Sequence, residues 1–347
     1  MKKSPKIIAL LLVFGMLMAT GAVAKDEIVI GYSNSLFGNI WREKMVEDSM
    51  EVFEFYKKKG MVDKVIVQHS GMEVNTQIQQ IRNMISQNVD CILINPSSVS
   101  GLTGVIEEAG DAEIPVIVFD GELPDKDKDL AYNVVTDKVA EGYNSAKWIA
   151  EQLGGKGKVV IMLGFAGVSG TEQRRVGVEK AFKEYPGIEI LTTVYGQWNQ
   201  ATAEAVMNDM VSAHPQIDAF WTAGSMAMGC LRAFMNAGRP LPVCAGDPTK
   251  EFFVFAKEQL DKGVDFKFVS PGNPPGIGGT ALAFGIYLSN DYKLKEALPK
   301  NTYYYPVKTF VTPKNLDEYL VKMKDDPETM WVSEYADDSQ IKALFKK

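Results

Sequence analysis

The sequence predicts an α/β protein built from two similar, doubly wound domains, and three observations carry that expectation. Short continuous apolar runs alternate with segments of helical periodicity, which implies parallel strands covered by helices on both faces. Ten such strands are too many for one ordinary sheet. The alternation is also interrupted once, by an acidic, Pro-containing stretch at residues 121–129, and then restarts.

Residues 28–34 are the opening strand, and the polar segment Ser33-Asn34-Ser35-Leu36-Phe37-Gly38-Asn39 follows before a helix over residues 40–59 that opens Ile40-Trp41-Arg42 and ends near Gly60. Residues 64–68 form the next strand, and 75–88 a helix with Ile78, Ile81 and Ile85 on one face. Strand 91–95, helix 101–110 and strand 115–120 complete the first alternation, with an extended piece at 131–135. A crossing near 136 leads to a helix carrying Val139, Tyr143, Ala146, Ala150 and Leu153. The second block has strands at 158–163, 189–194, 218–223, 241–245 and 265–270. Its helices are at 171–184, 200–213, 225–237 and 249–262. Ser270-Pro271-Gly272-Asn273-Pro274-Pro275 marks another crossing, after which a helix over 276–290 returns to the first domain. Residues 302–312 are one more extended stretch. The tail 313–347 is polar, with a helix near 316–323 and no readable role. The expected domains are therefore 25–136 with 273–308, then 137–272, then an extension 309–347.

At the N-terminus, Met-Lys-Lys-Ser-Pro-Lys precedes an apolar run from Ile7 to Met18 and the small residues Ala22-Val23-Ala24. This is the pattern of a signal peptide over residues 1–24, too short to span a bilayer. No cysteine sits near the junction, so an exported, unanchored protein is expected. The net charge is −7 and becomes more negative without the three leader lysines, which argues against nucleic acid and anionic membranes as partners. Three cysteines do not make a disulfide framework. Cys91, Cys230 and Cys244 read as small buried hydrophobes, with a Cys230–Cys244 bridge the alternative.

In open α/β folds ligands bind beyond the carboxyl ends of strands. Those positions hold Ser33, Ser35, Asn39, Trp41 and Arg42, then Asn95, Asp120, Trp198 with Asn199, and Asp247, while Arg174 lies on a helix. Carboxylates, amides and guanidinium groups bond vicinal hydroxyls, and indoles cover the C–H faces of a ring, so the set suits a polyhydroxylated ligand. A few hydrogen bonds to charged groups, at about 1.5–3 kcal/mol each, suffice for micromolar binding. Each residue also has a structural reading. Asp120 and Asp247 could be turn formers or N-caps, Asn95 before Pro96 a turn residue, and Trp221 core. One of Arg174 and Arg175 faces solvent, and Arg42 shares a helix face with Asn39. Of the two histidines, His214 reads as a helix-end residue, and no metal-ligand spacing or nucleophile motif stands out. Gly276-Ile277-Gly278-Gly279-Thr280-Ala281 reads as a Gly-rich helix start. No enzyme, no cofactor and no metal are expected.

In chain order, Cys91-Ile92-Leu93-Ile94-Asn95-Pro96, Val116-Ile117-Val118-Phe119-Asp120, Arg174-Arg175-Val176-Gly177, Ala213-His214-Pro215, Met226-Ala227-Met228-Gly229 and Ala245-Gly246-Asp247 resemble the periplasmic sugar-binding proteins of ABC transporters, of the ribose-binding type. The resemblance covers nearly all of residues 25–310. It implies two Rossmann-like lobes joined by three crossovers, a monomer in the periplasm that closes on one sugar or polyol and delivers it to an ABC permease. By the same resemblance Ser35, Asn39 and Trp41 match the first-lobe loop, and Asp120 the carboxylate after the fourth strand. Arg174 matches the ligand arginine, Trp198 the second-lobe aromatic and Asp247 the second-lobe carboxylate. Three departures stand out: Ala223-Gly224 where the family has Asn-Asp, Gly272 and Asn273 where a Gln is usual, and Gly121 in place of an Arg. They add Asn273 to the candidates and leave pentose, hexose and polyol open. The alternative is a sensory subunit presenting its ligand to a membrane receptor, which genomic neighbours would separate from transport.

Overall fold

The computed structural model describes residues 27–347, so the expected signal segment lies outside the described residues. The chain begins β1 (Val29–Asn34), α1 (Ile40–Lys58), β2 (Lys64–His69), α2 (Val74–Ser86), β3 (Cys91–Asn95), α3 (Thr103–Asp111), β4 (Val116–Phe119) and β5 (Tyr132–Val135). It continues with α4 (Lys138–Gln152), β6 (Lys156–Leu163), α5 (Ser169–Lys183), β7 (Gly187–Tyr195), α6 (Gln200–Ala213), β8 (Ala219–Trp221), α7 (Ala227–Asn236), β9 (Val243–Ala245), α8 (Lys250–Asp261) and β10 (Phe268–Pro271). The remainder is α9 (Ile277–Ser289), β11 (Lys293–Leu294), β12 (Thr302–Tyr304), β13 (Phe310–Val311), α10 (Leu316–Lys322), α11 (Asp338–Leu344) and β14 (Phe345–Lys346).

Two six-stranded sheets result, ordered β12-β5-β4-β3-β1-β2 and β13-β10-β9-β8-β6-β7. Every pairing in them is parallel except that of β13 with β10. The wholly buried apolar runs of β3 and β4 explain why both faces are covered. In each sheet the strand order reverses beside the first strand, at β1 and at β6, and the crevice there is where a doubly wound sheet binds ligand. Helices α1 and α9 cover one face of the first sheet, and α2 and α3 the other. In the second sheet α4 and α5 cover one face, and α6 to α8 with α10 the other.

The chain passes between the sheets three times, after β5, after β10 and between β12 and β13. The extended stretch expected over 302–312 is thus two short strands on different sheets, because the third passage runs through its middle. The strand expected at 265–270 begins only at Phe268, since Phe266 donates its N–H to the Val264 carbonyl in a turn. Helix α7 starts at Ala227, because Ser225 sits at φ 65° in the left-handed region. The Gly-rich start of α9 is a close-packing device: a Cβ on Gly278 would lie 2.6 Å from Ser49 Oγ, and one on Gly279 2.9 Å from Val52 Cγ2, both on α1.

The tail is ordered against both lobes. Leu316 and Met323 complete the second core, whereas Trp331, Ile341 and Phe345 enter the first. All three cysteines are free and buried, so the Cys230–Cys244 bridge does not form. Cys230 Sγ contacts Met162 Sδ at 3.6 Å instead.

Candidate functional site

A cavity of about 210 Å³ lies between the lobes at the carboxyl ends of the strands. The first lobe contributes Asn39, Trp41, Arg42, Asn95 and Asp120, the second Lys138, Arg174, Trp198 and Ser225, and the second passage Asn273. The volume is below the roughly 300–1,000 Å³ usual for drug-sized ligands, so it suits a monosaccharide-sized molecule. The lobes also touch directly, where Gln173 Nε2 donates to Glu122 Oε2 at 2.8 Å.

Each side chain is positioned by its element. Asn39 caps α1, its Oδ1 accepting from the Arg42 N–H at 2.8 Å, which aims the first turn at the cavity. Trp41 Nε1 donates to the Asn273 carbonyl at 2.7 Å, tying α1 to the second passage. Arg42 Nη1 pairs with Asp120 Oδ2 at 2.8 Å, and its guanidinium lies 4.7 Å from the Trp41 ring centre. Lys138, at the first turn of α4, reaches Asp120 Oδ1 at 3.0 Å and Thr136 Oγ1 at 3.3 Å. Burial alone would raise the Asp120 carboxyl, but the charges of Lys138 and then Arg42 outweigh it and hold the group well below the usual carboxylate range. Burial lowers Lys138, with Asp120 opposing.

In the second lobe, Arg174 is buried, and its Nε donates to Glu141 Oε1 at 2.8 Å. Its neighbour Arg175 is outside the cavity, paired with Glu172 and Glu179. Trp198 packs against Gly164 and Gly224, where any Cβ would collide with its indole, and meets Phe165 edge-on at 5.3 Å. Gly224 in Ala223-Gly224 thus leaves the space that the Trp198 indole fills. Asp120 at φ 61°, Trp198 at 52° and Ser225 at 65° all hold left-handed backbone, and strain of this kind concentrates where a side chain must be aimed.

Seven of the nine candidate residues line the cavity. Ser35 and Asp247 do not. Ser35 is buried and donates to Asn95 Oδ1 at 2.6 Å, one layer behind. Asp247 accepts from the Ser225 and Ala227 N–H groups at 2.9 Å each, so its carboxylate holds the start of α7 in place. Burial raises its pKa, with those amides opposing. Ser33 is buried beside Gln77, and Trp221 is core, its Nε1 donating to Ser145 Oγ.

Among the other lining residues, Asn95 and Lys138 stand out. Asn95 is more than a turn residue: its Nδ2 reaches the Phe119 carbonyl at 3.3 Å and Asp120 Oδ2 at 3.4 Å. Lys138 directly follows the first passage and the N-cap Asp137, but one lysine in a first helical turn is not distinguishable from a solvated one by spacing. No group of three or more metal-ligating side chains occurs among the described residues, and none of their helices is long and apolar enough to cross a membrane.

The family model described as a periplasmic binding protein domain matches residues 30–283. Among curated relatives, the xylitol-binding protein of Mycolicibacterium smegmatis is 31% identical over 196 residues, 56% of this chain and 55% of that protein. The ribose import binding protein of Bacillus subtilis is 27% identical over 236 residues, 68% of this chain and 74% of that one. An ABC transporter periplasmic solute-binding protein from Actinobacillus succinogenes, solved with bound D-allose, superposes with a TM-score of 0.68 at 26% identity, covering 84% of this chain and all of that one.

Proposed function

The chain belongs to the periplasmic binding protein domain family, and on that premise we propose that it captures a sugar or polyol between its lobes and delivers it to an ABC permease. The observation that carries this is the cavity itself, in which Asn39, Trp41 and Asp120 of one lobe face Arg174 and Trp198 of the other. The names of its relatives support the same reading: they are binding proteins, for xylitol and for ribose, rather than enzymes. Asp120, held ionised, accepts hydrogen bonds from ligand hydroxyls, Arg174 and Lys138 donate them, and the indoles cover the apolar face. Ligand favours the closed arrangement because only there do both lobes contact it. The partners are thus a small carbohydrate and a permease, the protein acting as a periplasmic monomer.

Thermal-shift screening of a sugar and polyol panel, followed by calorimetry, tests the reading. Asp120→Ala and Arg174→Ala are each expected to weaken binding about 10- to 100-fold, from loss of hydrogen bonds to a charged group. Unchanged affinity in both would remove the proposed site, and stabilisation by amino acids but by no carbohydrate would remove the ligand class.

A further inference from the structure

The cavity carries more positive charge than a neutral sugar requires. Of its lining residues Arg42, Lys138 and Arg174 are cationic, and Asp120 is the one carboxylate among them. Arg42 and Lys138 share the two oxygens of that carboxylate. The second-lobe carboxylate that could have balanced them, Asp247, is engaged by backbone amides outside the cavity. Arg174 has Glu141 on its Nε, while its Nη2, the second oxygen of Glu141 and the hydroxyl of Ser97 on the facing lobe are each buried with no partner. Arg174 is 6% exposed, so its guanidinium is held largely out of water, where an anion placed beside it is attracted more strongly than in solvent. Lys138 and Arg174 both run beside Gly170: a Cβ there would lie 3.1 Å from Lys138 Cδ and 3.5 Å from Arg174 Nη1. The first turn of α5, Val168 to Gly170, lines the same wall, so the positive end of a 15-residue helix adds to the two side chains.

Resting on the carbohydrate reading above, we propose that the ligand is a sugar acid, an aldonate or uronate whose carboxylate docks between Arg174, Lys138 and the start of α5. Its hydroxyls then fall to Asn39, Asn95 and Asp120. A carboxylate is the anionic group that fits, because it adds charge with little bulk to a cavity of about 210 Å³.

Matched pairs decide the matter: calorimetric titration of the full mature chain with xylitol against xylonate, glucitol against gluconate, and glucose against glucuronate. At least one acid is expected to bind tenfold or more tighter than its neutral partner, with affinity falling as salt is raised from 20 to about 500 mM. Lys138→Gln is expected to weaken the acid by a clearly larger factor than its neutral partner, so that the gap narrows. Neutral members that bind as tightly as their acids in every pair would overturn the acid assignment and leave the carbohydrate site standing. Binding by no member of any pair, nor by any other carbohydrate, would remove both.

Discussion

Asp120 concentrates the electrostatics of the site, since two cations divide its oxygens. Asp120→Asn isolates that charge, because Asn keeps the shape and tolerates the left-handed backbone at φ 61°. The variant leaves Arg42 and Lys138 without their shared anion, and breaking a buried pair from one side costs about 3–5 kcal/mol. Calorimetric melting should therefore show a clear drop. The pH dependence follows from the lowered carboxyl. Its folded pKa lies below the unfolded value of about 3.9, so the unfolded chain takes up the proton first and the stabilisation falls as pH falls. The melting gap between wild type and variant should be constant from about pH 5 to 8 and narrow below about pH 4. A gap that widened in acid would contradict the assignment. At this scale the candidate residues were readable because they gather just past strand ends, as Asn39, Asp120 and Trp198 do after β1, β4 and β7. Lys138 was not, since only the fold reveals that its helix start faces inward. Asp247 shows the converse: a strand-end carboxylate in the right place whose oxygens are taken by two amides.

Two glycines separate the fold of an element from the aim of a side chain. Gly177 on α5 faces the Val139 carbonyl on α4, and Gly164 after β6 faces the Trp198 indole. A methyl at the first meets backbone, which cannot swing aside. Gly177→Ala should cost about 1–3 kcal/mol by overpacking, visible in the melting temperature, with affinity nearly unchanged below the transition. A methyl at the second meets a side chain beside an open cavity. Gly164→Ala should therefore cost up to about tenfold in affinity through a displaced aromatic, with a smaller loss in melting temperature. Equal effects of the two on affinity would contradict this division. Strands and helices were legible along most of the chain because burial on both sheet faces gives long apolar runs. Their ends were less so, as at β10 and α7, where a local turn or a left-handed residue sets the boundary.

The two-lobed plan was readable from the restart of the alternation, but the last segment was not, because its buried residues follow no period. Leu316 and Met323 pack into the second lobe, and Trp331, Ile341 and Phe345 into the first. Trp331 joins the two: its side chain is 3% exposed in the first core while its backbone pairs with Thr249 of the second lobe. Beyond it, Ser333 bonds Asp48 of α1, and Glu334 accepts from the N–H groups of Lys308 and Thr309 in the third passage. The tail is thus a fourth connection between lobes, docked while they face each other across the cavity. An opening that parts these two anchors would move the Trp331 side chain relative to its own backbone partner, so the strap is expected to favour the closed arrangement. Loss of that bias lowers the closed fraction of free protein and weakens apparent affinity by the same factor. Trp331→Ala should lower stability by about 3–5 kcal/mol, raise the radius of gyration of ligand-free protein in solution scattering, and speed ligand release several-fold. A lower melting temperature with unchanged scattering and release would make the strap a passive part of the core.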